Sequence, residues 1–200
     1  MLDVIQYSSN YGLIGIYWGK LGKYGMLSGE YNVTLDDTGR IALPHSLREI
    51  LEKDKVVLTK GADSCLWLYG VRQWEEQEEL IFSTTNRYSS KGRIMLQHFI
   101  GPKKTLDMDK QGRILIPPTL RDHAGLSKDC VVLGQRDYVE IWAADRYRTH
   151  LDASVDDFKA GLEELGNKIM MMKDVGNDGN SAHAGTVGGN NTVPCSEGQV

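Results

Sequence analysis

The chain has 200 residues, of which 40% are hydrophobic, and a formal net charge of −4. That length suits one or two small domains with enough apolar surface for a core, and no apolar run approaches the roughly 20 residues of a spanning helix, which argues against a membrane protein. The negative balance argues against a nucleic-acid partner unless positive charge is concentrated on one face.

The opening "MLDVIQYSSNYGLIGIYWGKLGKYGM" has no basic residue before its apolar patch and no small-residue cleavage site after it, so no secretion signal is read. "EYNVTL" alternates as a strand does, "DDTG" has turn chemistry, and "RIALP" is a second strand ended by a proline that cannot donate to a ladder. "PHSLREILEK" places Leu47, Ile50 and Leu51 on one helical face, and "KVVLTK", "GADS" and "CLWLYG" read as a hairpin. "VRQWEEQEELIFS" and "TNRYSSKGRIMLQHFIG" have helical spacing and predict a helix pair. From Phe82 to Leu106 no residue is acidic, while Arg87, Lys91, Arg93, Lys103 and Lys104 are basic. That concentration answers part of the charge objection. Beyond Val175 the chain is rich in Gly and Asn and nearly free of large apolar residues, the composition of a disordered tail. Cys65, Cys130 and Cys195 are odd in number and widely spaced, which fits a reducing cytoplasm better than a disulfide framework.

The strand, turn, strand, helix, strand, turn, strand order is written twice. "TLDDTGRIALPHSLRE" at 34–49 lies over "DMDKQGRILIPPTLRD" at 107–122, an offset of 73 residues that pairs Asp36 with Asp109, Gly39 with Gly112, Arg40 with Arg113 and Arg48 with Arg121. The same offset sets Gly61 against Gly134, Tyr69 against Trp142 and Trp74 against Tyr147. Within the turn, an Asp accepts hydrogen bonds from amides two or more residues on, and a Gly supplies the positive φ that reverses the chain. Those needs explain Asp36, Gly39, Asp109 and Gly112 as loop-orienting residues. They do not require a guanidinium at the exit, yet Arg40 and Arg113 stand there. Each has two readings: an ion pair with the Asp across the loop base, or a planar bidentate donor held outward for phosphate oxygens or guanine edges. The two are compatible if the Asp orients the Arg.

The stretches "MLSGEYNVTLDDTGRIALP", "DKQGRILIPPTLRDHAGL" and "VEIW" resemble the MraZ family of bacterial DNA-binding regulators, which carry two tandem SpoVT–AbrB domains, each with an Asp-x-x-x-Arg motif. The resemblance runs from about Met26 to about Leu151. It implies a mainly β fold with short α-helices, in which two swapped-hairpin repeats form one pseudo-twofold unit. It further implies a homo-oligomeric ring that presents its hairpin loops to double-stranded DNA, at short direct repeats near the promoter of the division and cell-wall gene cluster. Carried over to this sequence, Arg40 and Arg113 are the contact candidates. Lys110 and, from the basic stretch Arg87 to Lys104, Arg87 and Lys91 are read as additional DNA-facing cations, the alternative for that stretch being the solvated face of a helix. The expected organisation is an N-terminal extension at 1–25, a first SpoVT–AbrB domain at 28–75, a helical connector at 76–102, a second domain at 103–147, a C-terminal helical segment at 148–174 and the tail at 175–200. Family members usually begin near the position of Met26, so the extension is either a start placed too far upstream, the favoured account, or a genuine addition.

Other constellations carry less. The carboxylates Asp36, Asp37, Asp107 and Asp109 sit in exposed turns, and no nucleophile, base and orienting group fall together, so the chain is not read as an enzyme and no small-molecule substrate, cofactor or metal is expected. Trp67, Tyr69, Trp74, Trp142 and Tyr147 occupy strand and helix positions suited to core or subunit contact rather than to stacking on single strands. The resulting expectation is a cytoplasmic, nucleoid-associated transcriptional regulator. The alternative is an AbrB-fold interaction module of antitoxin type.

Overall fold

The computed structural model describes residues 26–51 and 54–177. The expected N-terminal extension lies outside them, as does the tail from residue 178 on. The described residues divide after His150 into two units, each taken here by itself.

In the first unit, each repeat supplies four strands: β1 (Leu27–Thr34), β2 (Arg40–Ala42), β3 (Lys55–Lys60) and β4 (Leu66–Gly70) from the first, then β5 (Lys104–Asp107), β6 (Arg113–Leu115), β7 (Asp129–Arg136) and β8 (Val139–Ala143) from the second. Short helices α1 (His45–Ile50) and α4 (Pro118–Ala124) sit between the second and third strand of each repeat, and α2 (Val71–Thr84) and α3 (Ser90–Phe99) join the repeats. Pro44 and Pro117 introduce α1 and α4 at the point where a missing N–H leaves no bond unmade.

The strands do not pair within their own repeats alone. The main sheet runs β1-β7-β8-β4-β3-β5, all antiparallel, and β2 pairs with β6 in a separate two-stranded ribbon. Exchanging the labels of the two repeats reverses the sheet order and leaves it otherwise unchanged, which is the signature of a pseudo-twofold axis between β4 and β8 and through the ribbon. β1 completes the second repeat by pairing along β7, and β5 completes the first along β3. This exchange is the swapped-hairpin, mainly β architecture with short helices that the sequence led us to expect.

Alternation places one face of these strands in a single core. Leu47, Leu58, Leu68, Ile114, Ile116 and Ile141 are all fully buried there, drawn from both repeats. A second layer is aromatic. Tyr69 meets Trp74 edge-on at 5.4 Å between ring centroids, and Trp142 meets Tyr147 at 5.9 Å, the same pair made once in each repeat. These rings therefore serve packing. Cys65 and Cys130 are free and buried, with thiols pushed up to about 12 and about 11 chiefly by desolvation, so both are poor nucleophiles.

The structure departs from the sequence in detail. Val57 faces Tyr69 while Val131 faces Trp142, so the repeat offset is one residue longer on β3 and β7 than on β4 and β8. Gly61 and Gly134, aligned by the constant offset, are thus one position out of register. The loop after α4 accommodates the extra residue by a left-handed Gly125. In the connector, α3 begins later than its spacing suggests. Asn86 accepts the Tyr88 amide in a local turn, and the Ser89 hydroxyl then caps α3 by accepting from the Gly92 amide at 2.9 Å. After α5 (Ala144–Ala153), α6 (Val155–Asn177) continues past the boundary expected at residue 174. Among the described residues no helix is long and apolar enough to cross a membrane.

Ile41 and Ile114 face each other at the centre of the ribbon, both wholly buried. Ile114→Ala should lower unfolding free energy by about 2–5 kcal/mol, the range for deleting a buried branched side chain, measured by urea denaturation.

Candidate nucleic-acid interface

The ribbon is built by two turns of the same design. In the first, the Asp36 carbonyl accepts from the Gly39 amide at 2.9 Å and the Asp36 amide donates to the Arg40 carbonyl at 2.9 Å; in the second, Asp109 does the same with Gly112 at 2.8 Å and Arg113 at 2.9 Å. Each Asp side chain also gathers amides. Asp36 Oδ1 accepts from the Thr38 amide at 2.9 Å, the Thr38 hydroxyl at 2.6 Å and the Arg40 amide at 2.8 Å. Asp109 Oδ1 accepts from the Gln111 and Arg113 amides, both at 2.9 Å. Gly39 and Gly112 reverse the chain at φ +82° and +76°. Hydrogen bonds and positive φ together hold both turns in the same conformation.

Both carboxyls are held below the ordinary carboxylate range. For Asp36 the largest cause is the Thr38 hydroxyl, followed by the Arg40 amide; for Asp109 it is the Arg113 amide, with the Arg113 side chain adding to it. Both groups are half-buried with a face open to water, so their charge is partly screened, and what they contribute is chiefly conformational order of the turn.

Antiparallel pairing then fixes where the arginines stand. Arg40 lies opposite Leu115, Ile41 opposite Ile114 and Ala42 opposite Arg113. Since alternate residues share a face, Ile41 and Ile114 enter the core and Arg40, Ala42, Arg113 and Leu115 form the opposite face. Leu115 is 45% exposed, and Ala42 is exposed. The two arginines are diagonal neighbours across the ribbon, about 7–8 Å apart at their Cβ atoms by standard sheet geometry. Two guanidinium-bearing residues thus stand on one face, either side of the pseudo-twofold axis.

The arginines are not equivalent. Arg113 Nε donates to Asp109 Oδ2 at 2.8 Å, and its Nη1 lies 4.0 Å from Asp36 Oδ2, so it bridges both turn carboxylates. Among the described residues no carboxylate lies within ion-pairing distance of Arg40. The ion-pair reading of the repeated Arg is thus seen at Arg113.

Lys110 is exposed at the tip of the second turn, where the first turn has Asp37. Arg87 and Lys91 are exposed on the connector, Arg87 lying 5.8 Å from the Tyr88 ring centroid. The connector helices pack on β3 and β4, whereas the ribbon packs on β1 and β5, so the structure does not group these two cations with the ribbon pair.

Two further residues belong to the site. Arg121 of α4 lies over the first turn, where a Cβ on Gly39 would fall 2.6 Å from Nη1, and Arg48 of α1 lies over the second, where a Cβ on Gly112 would fall on its guanidinium. Arg48 Nη1 also reaches the Gln111 carbonyl at 3.4 Å. Each helix thus braces the turn of the other repeat. The repeat alignment paired Arg48 with Arg121 but gave no signal of this, because the contact crosses between copies.

Comparison with known proteins follows the same division. A family model described as "MraZ protein, putative antitoxin-like" matches residues 26–93 and again 99–166. The chain is similar to proteins named Transcriptional regulator MraZ. That of Treponema pallidum (strain Nichols) is 38% identical over 138 residues, covering 69% of this chain and 93% of the relative. That of Treponema denticola is 36% identical over 140 residues, covering 70% and 97%. That of Alkaliphilus metalliredigens is 37% identical over 146 residues, covering 70% and 99%.

Two outcomes are expected. Arg48→Ala should reduce hydrogen-exchange protection at Gln111 and Gly112 while leaving Thr38 and Gly39 unchanged, as read by amide exchange. Because both turn carboxyls have lowered folded pKa values, the order they confer is complete above the ordinary value of about 3.9 and is lost as pH falls through the lowered values. In an NMR titration the Arg40 and Arg113 amide shifts should therefore stay constant from neutral pH down to about 4 and move only below it.

Proposed function

The chain belongs to the MraZ family, and from that membership together with the arginine-bearing ribbon we propose that it is a sequence-specific transcriptional regulator that reads double-stranded DNA. The observation that carries the reading is the placement of Arg40 and Arg113 on the one solvent face of a rigid two-stranded ribbon. The major groove, about 12 Å wide, admits such a ribbon, and a planar fork matches guanine O6 and N7 or a phosphate. Lys110 at the turn tip extends the positive face toward the backbone. Arg87 and Lys91 on the connector serve as a second, outlying phosphate contact.

One ribbon makes few contacts. A homo-oligomeric ring would present several at fixed spacing, so that binding to short direct repeats gains roughly 10²–10⁴ in avidity when the spacings match. The target proposed is the promoter region of the division and cell-wall gene cluster, and the site of action is the nucleoid. An antitoxin-type interaction module is the second reading, favoured by the wording of the family description alone. Two complete repeats closing one ribbon suit the DNA reader better.

Arg40→Ala should weaken binding to repeated promoter DNA at least tenfold in a gel shift while leaving native mass unchanged, since Arg40 has no structural partner among the described residues. Binding by the unaltered protein should fall with salt at about 0.9 logarithmic units per phosphate contacted. Undiminished binding by the folded Arg40→Ala protein would sink the proposal.

A further inference from the structure

Two histidines meet where the connector ends. His98 of α3 and His123 of α4 lie 5.7 Å apart between ring centroids, edge to face, and both are half-buried. His98 Nε2 donates at 2.7 Å to the carbonyl of Gly61, just past β3; a carbonyl can only accept, so that nitrogen carries the proton. Phe99 closes the same corner, its carbonyl accepting from the Thr59 hydroxyl at 2.5 Å and its ring stacked on Trp67 at 5.2 Å. His123 Nε2, by contrast, is shut off from water and has no hydrogen-bond partner among the described residues. As a bare ring nitrogen it is tolerated there. As an N–H on a charged ring it would be an unmet donor in a dry corner.

The elements packed around His123 bring further positive charge. Lys60 ends β3, His98 faces it from α3, and Arg146 faces it from α5. Arg146 is fixed in place: its Nη1 donates to the His123 carbonyl at 3.2 Å, and its guanidinium lies where a Cβ on Gly125 would fall. On α4 itself the neighbours are Arg121, over Gly39, and the exposed Asp122. Burial, and after it the charges of Lys60 and His98, hold the His123 ring below the ordinary imidazole value of 6.5; the Asp63 backbone opposes that shift, and Arg146 adds to it. The first repeat has no such corner. The 73-residue offset sets Ile50 of α1 at the place of His123, and Ile50 packs against the core.

We infer that His123 is a proton-sensitive seat for α4: with a neutral ring α4 stays docked against the connector and β3, and on taking up a proton it loosens and releases the Arg121 brace from the turn that carries Arg40. The second turn is braced by Arg48 from α1, whose histidine, His45, stands exposed at the helix start, so that turn stays shut. The direction follows from the lowered folded value. Above about 6.5 the docked and loosened forms are both neutral and docking is unaffected; as pH falls from there through the lowered value, the loosened form takes up protons first and gains population. It remains a minority form, so the turn keeps its closed-state chemical shifts.

The test is amide hydrogen exchange on the full chain without DNA, corrected for intrinsic rates. Between about pH 7.5 and about pH 5.5, protection should fall at least about threefold at Gly39 and at Leu126, whose amide closes α4 on the Arg121 carbonyl, while Gly112 and Leu51, at the matching end of α1, hold steady. His123→Gln, which keeps a polar side chain but cannot titrate, and His123→Ile, which restores the residue type of the first copy, should each abolish the difference between the two pH values. No loss at Gly39 and Leu126, an equal loss in both repeats, or a loss that persists in either folded variant overturns the inference. None of these outcomes bears on the DNA-reading proposal, because Arg40 is unaltered and no DNA is present.

Discussion

The antiparallel contact of β2 with β6 across Ile41 and Ile114 is the constraint on which the rest of the first unit depends. A strand of three residues cannot hold itself, and two such strands joined only by a ladder would be marginal in water. Here the ribbon is fastened from both sides. The Leu43 amide donates to the Gly112 carbonyl at 3.0 Å, and the Ile116 amide donates to the Gly39 carbonyl at 2.9 Å, so each strand's continuation is tied to the other repeat's turn. Arg48 and Arg121 close over those turns from the helices that follow. Since β1 and β5 are likewise exchanged, neither repeat can complete its sheet alone. Each repeat needs strands from another repeat, and here the duplicated chain supplies them.

Divergence between the copies is concentrated at the turn. Thr38 in the first copy offers a hydroxyl that satisfies Asp36 locally, whereas Gln111 in the second offers Asp109 only its amide. Asp109 therefore takes the Arg113 Nε as well, and Arg113 comes to lie between two carboxylates. Two acids share one arginine, and among the described residues no acid pairs with the second. A pseudo-symmetric scaffold thus carries one anchored and one unpaired guanidinium on the same face, between turns that differ at Asp37/Lys110 and Thr38/Gln111.

Much of this was legible in the sequence because it is local or periodic. Proline and glycine punctuation, alternation and the repeat itself predicted all eight strands and the helix pair, and the turn chemistry of Asp36, Gly39, Asp109 and Gly112 follows from which groups can donate and accept within four residues. What could not be read was whatever crosses between the copies. Nothing in "RIA" or "RIL" says that they pair with each other, so the shared face of Arg40 and Arg113 was not predictable from either stretch. Arg48 and Arg121 were matched by the repeat alignment, which carries no sign of a contact between the copies. The register slip at Gly61 and Gly134 was hidden because an added residue before β7 is cancelled by one fewer in the following hairpin turn.

The turn asymmetry also bears on how a chain of net charge −4 would address DNA. A perfectly twofold ribbon would read both strands alike and would match a palindrome. With Lys110 replacing Asp37, and with Arg113 tethered while Arg40 is not, the two ends of the ribbon differ by about two charges at the tip and by the freedom of the guanidinium. In the proposed assembly, such an asymmetric ribbon would have a direction and would suit sites that repeat in the same orientation. The carboxylates beneath the ribbon do not cancel this, because their oxygens are already turned toward backbone amides and toward Arg113. The field that a phosphate would meet on approach is then set by the side chains standing above them, where among the described residues no acid pairs with Arg40 or Lys110.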